Sequence, residues 1–160
     1  MYQKILVPLD GSSIAEGVLP HVNEVAKKFD AEILLLQTVP SMSQILLETA
    51  ATTMEGSVSG AELGIEVAEQ QYSAVKQEAE GYLSSVADKL KSEGLKVTKY
   101  IVEGSAAAAI LEFAKESKVD LIAMSTHGRG GLGRLVFGSV TDEVLRKGPH
   151  LPMLLVRGEA

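Results

Sequence analysis

Residues 125–139 read "STHGRGGLGRLVFGS" and carry the clearest chemical potential in the chain. Glycines let a backbone approach a ligand closely. The N–H groups of such a loop, together with the unpaired N–H groups of a following helix, can converge on an anion. Ser139 and Thr141 add hydroxyl donors, and Arg129 and Arg134 add positive charge. The chemistry this favours is the holding of phosphate oxygens. A solvated connection with two surface arginines uses the same residue types, so the spacing has to discriminate.

Three partial motifs overlap in the stretch. Residues 128–133, "GRGGLG", match the glycine pattern of a dinucleotide loop, which should enter a helix at once and be followed by an acidic residue closing the next strand. Here the helix is expected to start only at Ser139, and the first strand is followed by "DGSS". Residues 133–139, "GRLVFGS", place Ser139 where a P-loop needs its lysine, which argues against an active P-loop NTPase. The third pattern uses the whole span: Gly128 after a strand, residues 129–137, then Gly138-Ser139 opening a helix.

The other chemistry-bearing residues form no catalytic constellation. His127 has no partner carboxylate nearby in sequence, and His21 and His150 lack metal-ligand spacing. Ser139 with Asp142 resembles a capping box, and Asp10 in "DGSS" reads equally as a turn residue or as an acceptor at the base or ribose end of a nucleotide. Met42 and Met54 read as packing residues. The chain has no cysteine, which removes disulfides, thiolate metal sites and a cysteine nucleophile. A net charge of −6 disfavours a broad nucleic-acid surface. The N-terminus lacks the features of a signal peptide and no apolar run is long enough to cross a bilayer, so the expectation is a cytoplasmic protein with no membrane partner.

The elements that must position the loop follow from periodicity. "KILVPL" (4–9), "AEILLLQTV" (31–39), "KVTKYIV" (96–102), "DLIAMST" (120–126) and "LPMLLVR" (151–157) read as strands, several apolar on both faces. Between them lie helical patterns. One runs from a Ser13–Glu16 capping box to about Phe29, with a kink or a distorted turn expected near Pro20. Another spans 66–93, with Tyr72, Val75, Ala79, Tyr82, Leu83, Val86 and Leu90 on its apolar stripe and Gly94 as its stop. The others are 105–117, with Ser105 as N-cap, and 139–147, stopped by Gly148 and Pro149. Residues 40–64 are long for a loop and are expected to form a mobile or partly helical insertion. The alternation predicts one α/β domain over 1–160 with a parallel sheet.

"MSTHGRGGLGRLVFGSVTDEVLR", taken with "ILVPLDGS", resembles the universal stress protein family of the nucleotide-binding type. The family pattern is G-x-x-G, nine residues, then G-Ser/Thr; Ser125 stands in place of its first glycine. The resemblance covers nearly the whole chain outside 40–64. It implies a five-stranded parallel sheet of order 3-2-1-4-5 with helices on both faces, like that of the adenine nucleotide alpha hydrolases. It also implies ATP as a regulatory ligand, Mg²⁺ carried with the phosphates, at most slow hydrolysis, and a homodimer paired through strand 151–157. Carried over by residue, Pro8, Leu9 and Asp10 would line the adenine region, and Val39 would pack on the base. Met124, Ser125 and Gly128 would approach the ribose and α-phosphate, Arg129 would add charge to the loop, and Gly138, Ser139, Val140 and Thr141 would hold the outer phosphates. The alternative is an oligomeric interaction module that binds no nucleotide, a reading that Ser125 favours.

Overall fold

A computed structural model describes residues 1–52, 58–127, 138–148 and 151–158. The strands are β1 (Lys4–Pro8), β2 (Glu32–Val39), β3 (Lys96–Glu103), β4 (Leu121–His127) and β5 (Met153–Gly158). They form one parallel sheet in the order β3-β2-β1-β4-β5. The helices are α1 (Ser13–Glu16), α2 (Leu19–Phe29), α3 (Met42–Thr52), α4 (Val58–Ser92), α5 (Ala106–Glu116) and α6 (Ser139–Lys147).

The strands read as apolar runs because the sheet is covered on both faces. Successive side chains point to opposite sides. On one face Ile5, Val7, Ile33, Leu35 and Ala123 pack with Val22 of α2 and Leu83 and Leu90 of α4. On the other, Leu6, Leu34, Leu36, Ile122 and Met124 pack with Ile110 of α5 and Val144 of α6. The apolar stripe expected on α4 holds at Ala79, Leu83, Val86 and Leu90, while Tyr72 and Tyr82 are half-buried.

The structure refines three local expectations. The helix expected over 13–29 is interrupted just before Pro20, by a turn at Gly17 and Val18, in keeping with the distorted turn expected near it. It divides into α1 and α2, and Pro20 stands in the first turn of α2, where its missing N–H costs nothing. The cap of α1 is Ser12, not Ser13: Ser12 is extended and its Oγ accepts from the Ala15 N–H at 3.1 Å. Glu16 therefore plays no part in a capping box with Ser13. Third, the helix expected from 66 begins at Val58, and 42–52 forms α3, so the stretch 40–64 takes the partly helical form that was one of its two expectations. At about 1.5 Å per residue α4 is about 52 Å long. Its end at Gly94, with φ +85°, is as expected for a residue that needs left-handed backbone. Among the described residues no helix is long and apolar enough to cross a membrane.

Candidate functional site

The strand order reverses direction between β1 and β4. In open parallel sheets the carboxyl ends of the strands at such a point leave a crevice. A cavity of about 250 Å³ lies there. β1 runs into it through Pro8 and Leu9; the Leu9 N–H continues the ladder by donating to the Leu36 carbonyl at 2.8 Å. The chain then turns through Gly11, whose φ of +83° suits glycine. Asp10 shapes this turn: its Oδ1 accepts from the Ser12 N–H at 2.9 Å and from the Ser12 hydroxyl at 2.6 Å. Asp10 is thus both a turn residue and a wall of the cavity.

β4 supplies Met124 and Ser125 to the opposite wall. The Ser125 hydroxyl donates to the Ala15 carbonyl at 3.3 Å, tying the end of β4 to α1. A side chain at Gly17 would meet that hydroxyl at 3.4 Å, so helix and strand are closely apposed here. The start of α6 supplies Gly138, Ser139, Val140 and Thr141. Gly138 is the N-cap and no side chain caps this end. The Ser139–Asp142 capping box does not form; Asp142 instead pairs with Arg146 at 2.9 Å. Ala106, in the first turn of α5, lines the cavity as well, and Ser105 occupies the N-cap position without a side-chain capping bond.

Two helix starts without side-chain caps therefore border the same cavity. Their unpaired N–H groups and partial positive charge make it attractive to an anion in a chain of net charge −6. Leu36, Ile110 and Met124 provide an apolar floor beside these donors. A mostly apolar cleft with a few convergent polar groups is the usual form of a small-ligand site.

Of the residues expected at the site, the structure brings Pro8, Leu9, Asp10, Met124, Ser125, Gly138, Ser139, Val140 and Thr141 to this one cavity. Val39 is not among its walls. β2 contributes Leu36 and Thr38 instead, because even-numbered residues of β2 face α5 and α6 while Val39 falls on the alternate side. Gly128 and Arg129 lie outside the described residues. Ser12, Ile14 and Ala15 also line the cavity. The "DGSS" turn held the signal for them, since a strand that ends at a ligand cleft usually delivers the following helix start to it as well.

Fold and cavity together define an open α/β protein with a cavity at the switch point of its sheet. The family model described as the universal stress protein family matches residues 1–157, and the chain belongs to that family. It is 34% identical over 157 residues to universal stress protein MJ0531 of Methanocaldococcus jannaschii, covering 98% of this chain and 83% of that protein. It is 32% identical over 158 residues to universal stress protein MJ0577 of the same organism, covering 98% and 96%. The solved structure of MJ0577 superposes with a TM-score of 0.77 at 29% identity, covering 99% of this chain and 98% of that one. Two more distant solved structures share the fold. The universal stress protein of Archaeoglobus fulgidus in complex with dAMP gives a TM-score of 0.65 at 18% identity, covering 97% and 98%. An Arabidopsis thaliana family member with AMP bound gives 0.64 at 16%, covering 99% and 93%.

Proposed function

We propose that this protein binds an adenine nucleotide, ATP in the first instance, in the cavity between β1, β4 and the start of α6, and uses it as a regulatory ligand. The observation that carries the reading is the meeting of Asp10, Ser125 and Gly138–Thr141, distant in sequence, around one cavity bordered by two helix starts. The nucleotides bound by two structural relatives agree with it. The base packs against the apolar floor near Leu9 and Leu36; the phosphates take the N–H groups and hydroxyls of Ser139 and Thr141. Gly128 and Arg129, which lie outside the described residues, belong to this reading through the family motif alone. Among the described residues no group of three His, Asp or Glu side chains could hold a metal, so Mg²⁺ would come with the phosphates and complete its shell with water.

Isothermal titration of ATP with Mg²⁺ into the protein and into Gly138→Asp tests this. Aspartate is a favoured N-cap residue, so the variant keeps or gains helix stability while placing a negative charge against the phosphates. Binding to the parent that weakens at least tenfold, about 1.4 kcal/mol, in an equally stable variant is the expected result. Absence of binding to the parent would favour an interaction module without nucleotide, in which the Ser125 hydroxyl serves only to hold α1 on β4.

A further inference from the structure

The cavity at the switch point has two unlike ends. β2 and β4 flank β1, so with strands about 4.8 Å apart the walls they supply stand about 10 Å apart. At the β4 end lie Ser125 and the start of α6, with the hydroxyls of Ser139 and Thr141. At the β2 end lie Leu36 and Thr38, with Ala106 and Ile110 of α5. Each end has a helix start without a side-chain cap, but only α6 adds side-chain hydroxyls to its N–H groups. Thr38 is the one polar side chain among the described residues of the β2 end. The register of β1 with β2 ends at Pro8 and Leu36, and the chain then turns away at Gly11. Thr38 thus stands two residues beyond its neighbour strand, on the face of β2 that meets the cavity. It is half-buried, and its hydroxyl has no hydrogen-bond partner among the described residues.

We propose that Thr38 is a specificity-determining residue of this site, its hydroxyl accepting a hydrogen bond from the 6-amino group of the bound base. The inference rests on the nucleotide reading above and goes beyond it to how the base is chosen. Phosphates at the start of α6 put the sugar near β4 and β1 and direct the base towards β2. The edge of a purine farthest from its sugar carries N1 and the 6-substituent, so that edge reaches the β2 end. Leu36, Ala106 and Ile110 offer an amino group no side-chain acceptor there, whereas a threonine hydroxyl has two acceptor lone pairs. Asp10 lies midway along the cavity, on β1, and its Oδ1 is already committed to Ser12. A site that pairs a ligand's polar group discriminates against the analogue that lacks it.

The test is isothermal titration, with Mg²⁺, of ATP and of purine riboside 5′-triphosphate, which lacks the 6-amino group, into the full-length protein and into Thr38→Val. Valine keeps nearly the shape of threonine, suits a strand and removes only the hydroxyl. Urea unfolding reports whether the variant is folded, and Thr38→Ala gives the same contrast should valine disturb the strand. The expected result is that ATP binds about three- to tenfold more weakly to the variant, while the analogue changes by less than about twofold. Thr38→Ser, which keeps the hydroxyl, should bind both nucleotides as the parent does. An unchanged affinity for ATP in the folded variant, or an equal loss for both nucleotides, would overturn the role of Thr38 and leave the nucleotide reading standing. A parent that binds neither nucleotide would overturn both.

Discussion

At the scale of single residues, small steric facts govern the last turn of α6 and the end of β4. Gly148 is not there for backbone freedom, since its φ is −62°. A β-carbon at that position would stand 2.5 Å from the Val144 carbonyl oxygen, and backbone of a packed helix cannot step aside. Gly148→Ala should therefore lower stability by about 1–3 kcal/mol, read as a shift of the urea midpoint at constant slope. Ser125 behaves differently. Its hydroxyl makes one long bond, 3.3 Å to the Ala15 carbonyl, and borders the cavity. Ser125→Gly restores the family's glycine and frees space beside the ligand. It should cost no more than about 1 kcal/mol of stability while ATP binding, measured by titration, is retained or strengthened.

At the scale of elements, α4 and β3 are joined by polar clasps at several levels. Tyr72 donates to Glu103, and Lys76 lies 3.4 Å from the same carboxylate. Farther along, Lys99 pairs with Glu80 and donates to Ser84 at 2.7 Å. Glu103 precedes Gly104, whose N–H donates to the Val39 carbonyl, and the chain then enters α5 at the cavity wall. The Tyr72 hydrogen bond holds the Glu103 carboxyl below its usual value of 4.5; burial opposes it, and Lys76 adds to the lowering. The carboxyl is thus harder to protonate in the folded chain than in the unfolded one. Its contribution is present above pH 4.5 and is lost as pH falls through the lower, folded value. Glu103→Gln should therefore be less stable than the parent near neutrality, with the difference shrinking towards zero in acid; urea unfolding of both proteins across that range checks it. A difference that stays constant with pH would assign the effect to packing.

At the scale of the whole molecule the two sheet edges are unlike. The β3 edge carries Lys96, Lys99 and Glu103, charges that discourage further strand pairing. The β5 edge reads Met-Leu-Leu-Val before its single arginine, and Leu154, Leu155 and Val156 remain only partly buried. An unguarded apolar edge favours two-fold pairing with a second copy. Sedimentation equilibrium should give twice the chain mass of 17.0 kDa at micromolar concentration. A single species of 17.0 kDa would remove the homodimer from the functional reading.

The sequence by itself determined the alternation of strands and helices and the bounds of α6 at 139–147. These rest on apolar period and on glycine and proline stops, which act over a few residues. It also carried most of the residues that border the cavity, because strand ends and helix starts announce themselves locally. The tertiary structure decided what local pattern leaves open. Whether Leu36 or Val39 looks into the cavity depends on which face of β2 meets α5, a parity of side chains set by packing. The long start of α4 at Val58 is weakly periodic in sequence and takes its place through contact with α3. Asn23 and Tyr82, 59 positions apart, border one groove between α2 and α4, and only the folded chain brings them together.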